Sequence, residues 1–115
     1  MPKKHFEIAN GKAIGKMPSG MEISGVKHKD FVLREALVSD LMTAENNNES
    51  GGAVSYNANL ACLTLESVGS YTGPFTENMI SRLKARDWQA LRAAMEALNY
   101  GGESGESEAG DDATS

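Results

Sequence analysis

The stretch "FVLREALVSDLMTAENNN", residues 31–48, changes its hydrophobic period partway along. At its start, apolar and polar positions alternate in the manner of a strand, with Phe31 and Leu33 on one face and Val32 and Arg34 on the other. From Ser39 the pattern becomes helical. Ser39 is placed to cap a first turn, and Asp40 sits where the positive end of the helix dipole favours an acid. The spacing predicts a helix over 40–47, stopped by the turn-forming cluster "NNNESGG". A strand running straight into a helix means mixed architecture.

Upstream, Met21 and Ile23 alternate with polar residues before Gly25 and predict a strand at 21–24, paired in a hairpin with 30–36. Residues 1–20 hold short apolar pairs around Asn10-Gly11. Two readings stand for them, a type I′ hairpin turning at Asn-Gly or a flexible basic arm. Two strands are marginal alone in water, so their apolar face needs a cover from the helices that follow.

Downstream, Tyr56, Leu60 and Leu63 recur at i, i+4 and i+7, and Leu65 and Val68 widen the stripe. The pattern predicts one helix over 53–68 that ends at Gly69. Thr76 reads as the N-cap of a short helix, 77–83, with Phe75 and Ile80 as a hydrophobic staple. In "LKARDWQAL", 83–91, Asp87 reads as the N-cap of a last helix whose apolar stripe is Trp88, Leu91, Met95 and Leu98. The expected fold is a single α+β domain over 21–100, a small β-hairpin element followed by three to four short helices. The Gly, Ser and acid composition of 101–115 reads as a disordered tail.

Composition narrows the function. The chain has 115 residues and a net charge of -5, yet Glu103, Glu106, Glu108, Asp111 and Asp112 all lie in the tail. Removing those five from 16 acidic residues leaves 11, against 11 basic ones, so the body is neutral. The single cysteine, Cys62, sits in "NLACLTL" and suits a reducing cytoplasm as a small hydrophobe. No apolar run has the length of a signal peptide or a membrane span.

Enzymatic chemistry finds no constellation. His5 and His28 are flanked by lysines and read as solvated loop residues, and Cys62 lacks a neighbouring base. The twelve glycines form no phosphate-cradling motif, "HKD" at 28–30 is too small for a metal site, and the tail lacks the calcium-loop pattern. No catalytic residue, cofactor or metal is expected. Arg82, Lys84, Arg86 and Arg92 around Trp88 could contact phosphates and stack a base, as in a small nucleic-acid-binding regulator. Four cations in a neutral body read first as a solvated helix face, so a nucleic-acid partner is not the leading expectation.

Three segments in order carry a resemblance: "FVLREALVSDLMTAE", with Arg34 closing a strand and Asp40 opening a helix; the apolar "NANLACLTLESVG"; and "FTENMISRLKARDWQALRAAMEAL", with Leu83, Asp87 and Leu91. Over about residues 21–98 this order resembles the tail assembly chaperones of contractile-tailed, Mu-like bacteriophages. The resemblance implies a non-enzymatic protein of the bacterial host cytoplasm. It would bind the helical tape measure protein, with the tail tube protein as a further candidate partner, and keep the former soluble while tube subunits assemble. In that family a translational frameshift often adds a C-terminal extension to a fraction of copies. An adaptable apolar surface is what such a client needs, and Met42, Met79, Trp88 and Met95 are the candidate partner-binding residues.

Overall fold

A computed structural model describes residues 6–49 and 51–101. His5 and the tail beyond Gly101 therefore lie outside the described residues. The order of elements is β1 (Phe6–Ala9), β2 (Lys12–Ile23), β3 (Val26–Arg34), α1 (Val38–Asn47), α2 (Ala53–Thr64), β4 (Leu65–Val68), α3 (Glu77–Ser81) and α4 (Ala85–Tyr100). The strands form one antiparallel sheet in the order β1-β2-β3-β4, so the fold is α+β.

The sheet is built by two tight turns of one kind. Asn10 and Gly11 have φ of 55° and 75°, and Ser24 and Gly25 have φ of 53° and 81°. Two successive positive φ values match the right-handed twist of the flanking strands, and Asn-Gly adopts them at small steric cost. Of the two readings for the N-terminal segment, the hairpin is the one that forms. It is part of the sheet, because β2 passes residue 20 without a boundary and Ala13 and Met17 are fully buried.

The Ser24-Gly25 turn corrects the expected pairing of 21–24 with 30–36. Met21, Glu22 and Ile23 face His28, Lys27 and Val26, while Lys12 through Lys16 face Arg34 through Asp30. Between these two ladders the register shifts at residues 17–20. Pro18 there has no N–H to donate, and Gly20 has a φ of +102° with the His28 carbonyl oxygen only 2.9 Å from where a Cβ would stand.

A second correction concerns the segment after Cys62. The helix expected over 53–68 stops at Thr64, and Leu65–Val68 is a strand paired with Phe31–Leu33 of β3. Leu65 and Val68 are buried as the pattern requires, but they reach the core from a sheet edge. The unpaired edge of β3 supplies the reason: its N–H and C=O groups need partners, and a four-residue strand satisfies them where a longer helix would not.

Helix α1 begins two residues earlier than expected, at Val38 with Leu37 as N-cap, and Ser39 does not cap it. Asp40 performs that task by reaching back, its Oδ2 accepting the Leu37 N–H at 2.8 Å. Helix α3 spans Glu77–Ser81, shorter than the expected 77–83. Thr76 caps it as expected, Oγ1 accepting the Met79 N–H at 3.3 Å. Helix α4 lies across β2 and also touches β1 and β3. Its inward face is Leu91, Ala94, Met95 and Leu98, and it closes on Gly101 at a left-handed φ of 65°. Met17, Met21, Phe31 and Leu33 meet it from the sheet side of the core.

Candidate functional site

The residues that carry the family resemblance hold the elements together. Arg34 leaves the end of β3 and grips Asp40 of α1 with two parallel bonds, Nη1 to Oδ2 at 2.8 Å and Nη2 to Oδ1 at 3.1 Å. Its Nη2 also donates to the Leu63 carbonyl near the end of α2, at 2.9 Å. One planar guanidinium thus ties a strand to two helices, a task for which its fixed fork of donors is suited. The Arg34 hydrogen bond holds the Asp40 carboxyl below its ordinary value of 3.8. A further bond, from the Ala36 N–H to Asn99 Oδ1 at 2.8 Å, pins the end of α4 beside the entrance to α1.

Asp87 is not the cap expected of it. Lys84 is the N-cap of α4, and Asp87 stands in the first turn with its own N–H donating to the Lys84 carbonyl. The carboxylate is fully buried. Its Oδ1 accepts from the Ser19 N–H at 2.6 Å and the Gly20 N–H at 3.2 Å, both in the irregular part of β2. Its Oδ2 has no hydrogen-bond partner among the described residues. Asp87 therefore joins helix to sheet, with the dipole of α4 favouring the same charge.

That architecture leaves α1 with an uncovered apolar side. Leu41 and Ala44 turn inward, while Leu37, Val38 and Met42 are 65%, 70% and 60% exposed. Val38 and Met42 are one turn apart and share a face. Tyr100, 71% exposed, follows Asn99, which the bond to Ala36 holds beside Leu37. Large apolar residues concentrated on one short helix differ from the scattered exposure of an ordinary surface.

Two concavities flank the α3–α4 junction and share Leu83 in their walls. One, about 210 Å³, is an apolar groove between α2, α3 and α4, formed by Val54, Ala58, Ile80 and Trp88. The other, about 130 Å³, lies where the β2–β3 hairpin meets the junction. It takes Met79 into its wall beside Lys27, Arg82 and Lys84, with Glu22 next to Lys27 across the β2–β3 ladder.

The four expected partner-binding residues are thus separated. Met42 is exposed on α1, Trp88 is half-buried in the apolar groove, and Met79 is half-buried in the basic cleft. Met95 is 3% exposed and fills the core, so it offers no surface to a partner. Leu37, Val38 and Val54, which the sequence reading passed over, belong with the exposed set. Hydrophobic side chains just before a helix and in its first turn were the available signal.

Of the expected nucleic-acid contacts, Arg82 and Lys84 are exposed in the cleft, and Arg92 is half-buried. Arg86 donates to Ser19 Oγ from Nε and Nη2, at 3.2 and 2.9 Å. His28 is half-buried in β3 with its ring against Gly69, and is therefore not a loop residue. Burial pushes the Cys62 thiol up to about 11, which leaves it protonated and unreactive at neutral pH. Among the described residues there is no group of three or more His, Cys, Asp or Glu placed to hold a metal ion. Nor is any helix among the described residues long and apolar enough to cross a membrane. Comparison with family models, curated proteins and solved structures finds no match.

Proposed function

We propose that this protein is a non-enzymatic assembly chaperone of a contractile-tailed phage, one that binds the helical tape measure protein in the host cytoplasm and keeps it soluble during tube assembly. The observation that carries the reading is the uncovered apolar side of α1, with Leu37, Val38 and Met42 each more than half exposed. An amphipathic client helix buries its apolar face most readily against such a stripe, and methionine adapts to varied side chains. The order of elements around Arg34, Asp40, Leu83, Asp87 and Leu91 supports the same reading through the resemblance. Tail tube protein is the second candidate partner.

The test is co-expression with the tape measure protein encoded nearby. The parent chain should raise its soluble fraction and co-purify with it. Val38→Lys and Met42→Lys should each weaken the complex about tenfold, since every exposed apolar side chain buried on binding contributes ~1.5 kcal/mol. Failure of the parent chain to co-purify would remove the proposal.

The other reading, a nucleic-acid-binding regulator, draws on the gathering of Lys27, Arg82 and Lys84 in one cleft. It requires duplex binding that weakens steeply with salt and disappears in Arg82→Ala/Lys84→Ala/Arg86→Ala.

A further inference from the structure

The basic cleft is more charged than the sequence of α4 indicates. Around it stand Lys27 from β3 and Arg82 and Lys84 from the α3–α4 junction, all exposed. Lys29, also exposed, lies against Gly20 in its wall, its Cγ 3.2 Å from where a Gly20 Cβ would be. Among the described residues no hydrogen bond or ion pair involves the side chains of Lys27, Arg82 or Lys84. Glu22 is the acid in the lining, across the β2–β3 ladder from Lys27, and Asp87 is buried with its Oδ1 bonded to the Ser19 and Gly20 N–H groups. Cations grouped in a concave site attract anionic groups more strongly than the same cations dispersed.

The chain carries its own candidate for that site. All of its excess negative charge follows Gly101, in Glu103, Glu106, Glu108, Asp111 and Asp112. Geometry then decides which of these can arrive. Helix α4 has 16 residues, so Gly101 lies about 24 Å from the cleft at the other end of the helix. Extended chain covers at most ~3.6 Å per residue. On that scale Glu103 reaches only ~7 Å from Gly101 and falls short, whereas Glu106 reaches ~18 Å, which its own side chain and that of Lys84 extend to the margin of the cleft. Glu108 spans ~25 Å, and Asp111 and Asp112 have length to spare at ~36–40 Å.

We propose that the acidic segment around Glu108, Asp111 and Asp112 docks intramolecularly on the cleft lined by Lys27, Arg82 and Lys84, with Lys29 beside it, and shields it from other polyanions. The tether sets an effective concentration in the millimolar range, so individually weak ion pairs suffice to occupy the site. The contact is a screened electrostatic one, and salt releases it. Docking of this kind makes the charge of the tail a determinant of which anions the body can bind.

The experiment compares amide spectra of the full chain with those of Glu108→Gln/Asp111→Asn/Asp112→Asn at about 20 mM salt, where screening is weak. Resonances of Gly20, Met21, Lys27, Leu83 and Lys84 should differ between the two, and the difference should vanish at about 0.5 M salt. It should also vanish in an Arg82→Glu/Lys84→Glu background, which alters exposed residues only. Glu103→Gln, out of reach, should leave the cleft resonances unmoved. Identical cleft spectra for parent and neutralised chain would overturn the proposal, as would an equal response to the Glu103 substitution. Shifts that grow with protein concentration would assign the contact to a second copy and overturn the intramolecular docking. A duplex oligonucleotide that binds the parent as tightly as the neutralised chain would do the same, assigning the cleft to nucleic acid.

Discussion

Asp87→Ala is expected to destabilise this protein far more than loss of a helix cap would. The side chain is fully buried, and its Oδ1 is the acceptor for two backbone N–H groups of β2. Truncation leaves both donors without a partner. The Ser19 N–H is part-buried and the Gly20 N–H is buried, which corresponds to ~1 and ~2 kcal/mol respectively, since an unsatisfied buried donor costs ~1–3 kcal/mol. The sum, roughly 3 kcal/mol, is a large share of the ~5–15 kcal/mol typical of a domain and corresponds to a fall in Tm of roughly 12–24 °C. Asp87→Asn keeps an acceptor for the two donors but sets an amide NH2 without a partner where Oδ2 stands, so it should cost about 1–2 kcal/mol, less than Asp87→Ala. Urea unfolding followed by Trp88 fluorescence and by circular dichroism measures both variants. An Asp87→Ala midpoint within about 0.5 kcal/mol of the parent would refute the link between α4 and β2.

Two further outcomes follow from the same contacts. The hydrogen bond from Arg34 lowers the folded-state value of Asp40 below 3.8, so the unfolded chain takes up its proton first as pH falls. Stability from this pair is full above the ordinary carboxylate range and is lost as pH drops below it, by roughly 1 kcal/mol after allowance for solvent screening. In Arg34→Met that acid-range loss should shrink by the same amount in urea titrations; an unchanged pH profile would contradict the assignment. At Gly69, φ is +60° and an added Cβ would stand 2.2 Å from His28 Nδ1 and 2.8 Å from His28 Cβ. Gly69→Ala should cost about 2 kcal/mol or more by thermal unfolding, and Gly69→Ala/His28→Ala should recover the part due to the ring while leaving the close Cβ contact and ~1 kcal/mol of left-handed backbone cost. A double variant no better than the single one would show that His28 is not the obstacle.

The elements written in local pattern were legible. Phe31 and Leu33 alternate with Val32 and Arg34 and are buried as the period requires. Thr76 is the N-cap of α3, and Leu91, Met95 and Leu98 form the buried stripe of α4. The candidate surface was less legible. Met42 belongs to it, but Met95 obeys the same helical spacing as the core and is core. A methionine's residue type does not say which way its helix faces.

Residues 65–68 separate what chain and fold each decide. Their i, i+3 spacing determined that Leu65 and Val68 would be buried and by itself favours a helix; a regular strand would set the two on opposite faces, and β4 buries both because its register against β3 shifts between Val32 and Leu33. Only β3, some 34 residues earlier in the chain, decided for the strand, because its open edge needed hydrogen-bonding partners. Asp87 makes the same division. The sequence determined that an acid would stand at the start of the last helix, where the dipole favours it. Its partners are Ser19 and Gly20, 68 and 67 positions away, and no local pattern encodes a hydrogen bond over that distance. Periodicity is a local property of the chain, and burial follows from it; the choice of partner for each polar group is made only when distant segments meet.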